Sequence, residues 1–116
     1  MNIEEYYEYC TSLDGVTEGF PFDDRVLVFK VMDKIFALTD VESFEFINLK
    51  CDPERSIELR AEHDEITAGW HMNKKHWNSV KPGGGLEDSL IYDLIKHSYD
   101  LIAASLPKSK REQLGI

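Results

Sequence analysis

Apolar residues recur along this chain in two rhythms, one helical and one alternating. Ile3, Tyr6, Tyr7 and Cys10 fall at helical spacing with Glu4, Glu5 and Glu8 towards the other side, which predicts a short acidic cover helix over 3–12. Thr17 to Asp24 reads as turn-rich chain leading into Val26–Val31, whose β-branched and aromatic content predicts a strand. Met32-Asp33 is a tight turn into a second strand over 34–39, and a turn at 40–43 leads to a third over 44–50. Asp52 and Pro53 form a helix-start signal for residues 53–62, because aspartate caps and proline fits the first helical position. A further strand follows over 76–80, then a flexible loop at 81–85. From Leu86, positions Leu90, Ile91, Leu94, Ile95, Leu101 and Ile102 recur every three or four residues, giving the longest amphipathic helix, closed near Leu106-Pro107. The order helix, three-strand meander, helix, strand, helix predicts an α+β, two-layer sandwich with helices on one face of an antiparallel sheet.

Length and composition fit that picture. At 116 residues, with 42% hydrophobic and 11% aromatic residues, the chain has the size and core material of a single domain, 1–116, rather than a disordered tail. No stretch approaches a spanning helix, and the start Met1-Asn2-Ile3-Glu4-Glu5-Tyr6 lacks the basic and apolar regions of a leader, so a cytoplasmic location is expected. Cys10 and Cys51 are too few and too isolated for a disulfide framework or a zinc knuckle, and they are expected to be reduced and buried.

The net charge of -9 argues against a generically basic nucleic-acid binder. Its distribution changes that conclusion. Residues 1–65 hold 17 acids and 6 bases, whereas residues 66–86 hold 3 bases and no acid, together with both tryptophans and two of the four histidines. A locally basic, aromatic window free of carboxylates is where a negatively charged partner is expected.

Other constellations carry less. The triple glycine at 83–85 precedes a helix but lacks the lysine and hydroxyl of a phosphate-binding loop, and Glu87 and Asp88 would repel an anion there, so it reads as a turn. His63, His71 and His76 have no metal-site spacing, and Lys74 and Lys75 intervene. The carboxylates of Glu4, Glu5 and Glu8, with Asp23 and Asp24, offer at most a weak ridge for a hard cation. No cysteine or serine stands in a nucleophile elbow or beside an evident base, so no enzyme activity and no cofactor are expected.

That leaves His71-Met72-Asn73-Lys74-Lys75-His76-Trp77. Asparagine, lysine and histidine supply donors to phosphate oxygens, and a tryptophan supplies a stacking or cation–π surface. The competing reading makes Trp77 and Val80 strand residues of the core and the lysines a solvated turn. Residue chemistry alone leaves the two balanced.

The same window carries a resemblance to a known family. Phe20-Pro21-Phe22-Asp23, Val28-Phe29-Lys30-Val31, Lys34-Ile35-Phe36-Ala37-Leu38, Leu49-Lys50-Cys51-Asp52-Pro53-Glu54, Leu59-Arg60, the 71–77 segment and Ser98-Tyr99-Asp100, in this order, make the chain resemble the MmcQ/YjbR family of small bacterial proteins. The resemblance implies a fold similar to bacterial frataxin and a role in binding double-stranded DNA. Its signature falls on His71, Asn73, Lys74, His76 and Trp77. Met32-Asp33 stands where family members often have a glycine pair.

Three expectations follow. A non-enzymatic DNA-binding module would use His71, Asn73, Lys74, Lys75, His76, Trp77 and Lys81, with the lysines on phosphates. A protein-interaction or weak metal-binding module would act through the acidic N-terminal helix. A purely structural role for 71–77 would make these residues inseparable from folding. The partners expected are double-stranded DNA or a protein, with no membrane, and the chain is expected to be monomeric.

Overall fold

A computed structural model describes residues 1–69 and 72–116. Asn2 opens α1 (Ile3–Ser12) with a reciprocal capping box, its side chain accepting from Glu5 N–H while the Glu5 carboxylate accepts from Asn2 N–H. The chain then forms β1 (Val16–Gly19), β2 (Val26–Val31), β3 (Lys34–Asp40) and β4 (Ile47–Lys50). Asp52 caps α2 (Pro53–Glu62), β5 (Ile66–Ala68) and β6 (Trp77–Val80) follow, and α3 (Asp88–Ala104) and α4 (Lys108–Leu114) end the fold. The six strands make one antiparallel sheet in the order β1-β2-β3-β4-β6-β5.

Leu27, Phe29, Ala37, Ile47, Leu49 and Val80 point from the strands into one core with Tyr6 and Cys10 of α1, Leu59 of α2 and Ile91, Ile95 and Ile102 of α3. The helices therefore cover one face of the sheet. Phe29 anchors this layer, edge-on to Tyr6 at 5.4 Å between ring centroids. A bulge breaks the alternation of β3: Phe29 pairs with Ala37 and Lys30 with Ile35, so Phe36 has no partner across the ladder, and Phe36 and Ala37 are both fully buried.

The expected strands at 26–31 and 34–39 and the helix at 53–62 are present. The third strand begins at Ile47 rather than Phe44, because Phe44 takes a φ of +43° that no strand accommodates. That turn directs Phe44 against Tyr6, 5.6 Å between ring centroids. Edge strands β1 and β5, and α4, were not anticipated. The glycines at 83–85 form a close approach rather than an anion cradle, since Gly85 N–H donates to the Glu65 carboxylate at 3.0 Å and a Cβ on Gly84 would lie 2.8 Å from the Glu65 side chain.

Met32 and Asp33 close the β2–β3 hairpin with φ of +47° and +74°, the left-handed conformation a two-residue antiparallel turn requires. Glycine adopts that region without steric cost. Asp33→Gly relieves the left-handed cost of about 1–2 kcal/mol at the expense of about 0.4–1 kcal/mol of added unfolded-chain entropy, so a net stabilisation of up to about 1 kcal/mol is expected, read as a higher urea midpoint at unchanged slope. The Lys110–Asp33 contact it removes is 3.9 Å long with Asp33 87% exposed, too weak to reverse the sign.

Candidate functional site

The sheet face away from the helices carries the outward half of each strand. Along the β4–β6 pair, Leu49 and Asn78 point to the helices, so their neighbours Lys50 and Trp77, paired across the ladder, lie on the open face. Asn48 and Ser79 form the next row, joined by a Ser79 Oγ to Asn48 Oδ1 hydrogen bond of 2.7 Å. Val28 and Leu38 continue that row towards β1.

Residues 73–76 form the turn that leads into β6. Asn73 builds it, accepting the N–H of His76 and Trp77 on its carbonyl and the N–H of Lys75 on Oδ1 at 3.0 Å. Arg60 of α2 fastens it from below. Its Nε donates to Asn78 Oδ1 at 2.7 Å, and one terminal nitrogen donates to the carbonyls of Lys74 at 2.6 Å and Trp77 at 3.1 Å. Asn78, 2% exposed, passes the network to Ser56 Oγ at 3.2 Å. Gly69 permits the approach of β5, because a Cβ there would stand 3.0 Å from the Trp77 Cβ.

The consequence is a backbone held from beneath, with Lys74 and Lys75 projecting into water. Among the described residues neither lysine forms an ion pair, and neither does Lys50. The strands hold only two carboxylates: Glu18 accepts from Tyr7 on α1, and Asp40 is bound to Arg25 at 2.9 Å. The acids concentrate instead on the helices and loops, so the sheet's open face is much less negative than the net charge suggests.

Of the residues expected at the site, Asn73, Lys74, Lys75, His76 and Trp77 lie together. His71 lies outside the described residues, as does Trp70. Lys81 follows the last residue of β6, roughly 13 Å along the strand from Trp77 at ~3.3 Å per residue, and its N–H is bonded to Glu65. Lys50 and Arg60 belong to the site through strand pairing and helix packing. Their only sequence signals were the segments Leu49-Lys50 and Leu59-Arg60.

The acidic helix is partly committed. Glu5 serves the capping box, and no group of three potential metal ligands occurs among the described residues. Cys10 and Cys51 are both free and buried, and burial pushes each thiol above its ordinary value, so neither is a thiolate at neutral pH. Among the described residues no helix is long and apolar enough to cross a membrane.

The YjbR family model matches residues 11–101. The chain belongs to the YjbR family. It is 36% identical to the YjbR protein of Escherichia coli K12 over 115 residues, 98% of both chains, and 40% identical to YbdF of Escherichia coli O157:H7 over 96 residues, 82% of this chain and 79% of the other. A crystal structure of a Deinococcus radiodurans protein superposes with a TM-score of 0.91 at 38% identity, covering 99% of this chain and 88% of that one. A Pseudomonas syringae protein gives 0.75 at 28%, covering 87% and 98%. The α+β architecture is thus shared with these solved structures.

Proposed function

We propose that this YjbR-family protein is a non-enzymatic module that binds the backbone of double-stranded DNA through the 73–77 turn. The observation that carries this reading is the turn itself: a backbone locked by Arg60 and Asn73 that holds two lysines, without an ion pair among the described residues, beside Lys50 and Trp77. Lys74, Lys75 and Lys50 meet phosphates. The Asn73 amide and His76 supply hydrogen bonds, and Trp77 buttresses the lysines or stacks. Contact confined to one corner of an acidic protein is weak, insensitive to base sequence and strongly dependent on salt.

Three phosphate contacts predict a slope of log K against log salt of about -2.7, at ~0.9 per phosphate. In fluorescence-anisotropy titrations of a labelled duplex, Lys74→Ala/Lys75→Ala is expected to remove about two thirds of that slope and to weaken binding by about tenfold or more at low salt. Lys81→Ala, at the far end of β6, should leave both unchanged. A duplex that does not bind at low salt, or equal losses in the two variants, refutes the proposal.

A further inference from the structure

Beside the lysine turn, the open face of the sheet contains a groove that the DNA reading does not use. It encloses about 540 Å³, within the range of small-ligand and side-chain pockets. Val26 and Leu38 wall it from the strands, Phe46 and Met72 from the loops. Phe46 lines this side, whereas the left-handed turn at Phe44 sends that ring against Tyr6 in the core. Phe22 lines the groove with 67% of its surface exposed, against 47% for Phe20 and 39% for Tyr7. A ring left in water beside an apolar cavity marks a contact surface.

The polar groups around the groove define what fits it. On the floor, Ser79 Oγ occupies Asn48 Oδ1, while the Asn48 amide nitrogen makes no hydrogen bond among the described residues. It is a free donor on a residue lining an apolar space, suited to a peptide carbonyl. Asp40 and Glu45 line the rim, and Asp23, Asp24 and Glu42 lie on the same two loops. Arg25 is the one base on these loops, and it is already bound to Asp40 at 2.9 Å and Glu42 at 3.3 Å. Burial raises the Asp40 carboxyl, but the N–H groups of Glu42 and Ser43 and the Arg25 guanidinium outweigh it and keep the group below its usual range. The rim is therefore anionic at neutral pH. DNA phosphates are repelled from it, and so is a second copy of this chain with its net charge of -9.

We propose that this groove docks a short extended segment of another protein, one or two large apolar side chains flanked by lysine or arginine. The apolar side chains fill the space between Val26, Leu38, Phe46 and Met72, a backbone carbonyl meets the Asn48 amide, and the basic flank meets Glu45 and its neighbours. This surface is independent of the lysine turn and stands whether or not the turn binds DNA.

A phage-displayed library of random peptides selected on the immobilised full chain tests it. Enriched sequences are expected to combine Leu, Ile, Phe or Trp with Lys or Arg. A synthetic peptide of that consensus is expected to bind about tenfold more weakly to Leu38→Lys and several-fold more weakly to Glu45→Lys, since both place a cation against its basic flank. Glu45 is an exposed loop residue, so its variant keeps the test sound if Leu38→Lys fails to fold. No enrichment, enrichment of acidic peptides, or affinity unchanged in Glu45→Lys overturns the proposal, as does self-association through this face.

Discussion

Replacing Arg60 with alanine is expected to destabilise the protein by about 2–4 kcal/mol and to weaken the proposed DNA binding of whatever variant remains folded, by no more than Lys74→Ala/Lys75→Ala does. The guanidinium makes three hydrogen bonds, to Asn78 Oδ1, the Lys74 carbonyl and the Trp77 carbonyl. Bonds from a charged donor contribute about 1.5–3 kcal/mol each, less where water replaces the partner, as it does for the exposed Lys74 carbonyl. The larger cost falls at Asn78. Its oxygen is buried beneath the sheet, and deleting Arg60 leaves it without a donor. Arg60→Lys recovers under half of the loss, because an ammonium on a flexible stem cannot reach strand and turn as a planar fork does. Urea unfolding measures the first effect and titration of a labelled duplex the second, and faster amide exchange at Lys75 and Trp77 reports the loosened turn that links them. A loss below about 1 kcal/mol would show that Asn73 alone holds the turn.

The elements that were legible in the sequence are those whose pattern and punctuation agree. Asp52-Pro53 marks α2, and the alternation of 26–31 and 34–39 marks the central hairpin. Helix α3 was legible because its apolar stripe lies over the middle of the sheet. What escaped has a physical reason in each case. Strands β1 and β5 are edges of four and three residues whose outward positions, Thr17 and Thr67, are polar, and only the neighbouring strand makes them extended. Helix α4 has no buried residue and hence no apolar stripe to read. At Phe44 the strand propensity of Phe-Glu-Phe-Ile was overruled by a turn that Asp40 holds, its carboxylate accepting from Glu42 N–H and Ser43 N–H.

The candidate site was legible as a window and not as a shape. The absence of acids between residues 66 and 86 pointed to the turn at 73–76, where Lys74 and Lys75 are exposed. Proximity in sequence then grouped Lys81 with Lys74 and Lys75, whereas β6 carries it to the opposite end of the strand. Pairing brought in Lys50 from 27 residues away, a relation set by strand register and invisible to local pattern. The same register explains how a protein of net charge -9 has a sheet face with few carboxylates: the acids accumulate where helices and loops meet water.

Ser98 gives the second large effect, and it reaches the open face from the helix side. This α3 side chain is fully buried, donating to the Phe36 carbonyl at 2.6 Å and accepting the Lys50 N–H at 2.9 Å. Both partners need it. Phe36 is the bulged residue with no partner across the ladder, and Lys50 is the last residue of β4, so one hydroxyl satisfies two backbone groups the sheet leaves open. Ser98→Ala removes only one oxygen but strands a buried carbonyl and a partly buried N–H, and a loss of about 2–4 kcal/mol is expected. Ser98→Cys, a weak donor of similar shape, should restore part of it. The urea midpoint should fall with an unchanged slope, and the Lys50 amide should exchange faster than those of Ile47 and Leu49. DNA affinity of the folded fraction should fall much less than in Lys74→Ala/Lys75→Ala, because the lysine turn hangs from Arg60 rather than from α3. Equal losses of stability and affinity in Ser98→Ala would tie the turn to the core and favour a purely structural role for residues 71–77.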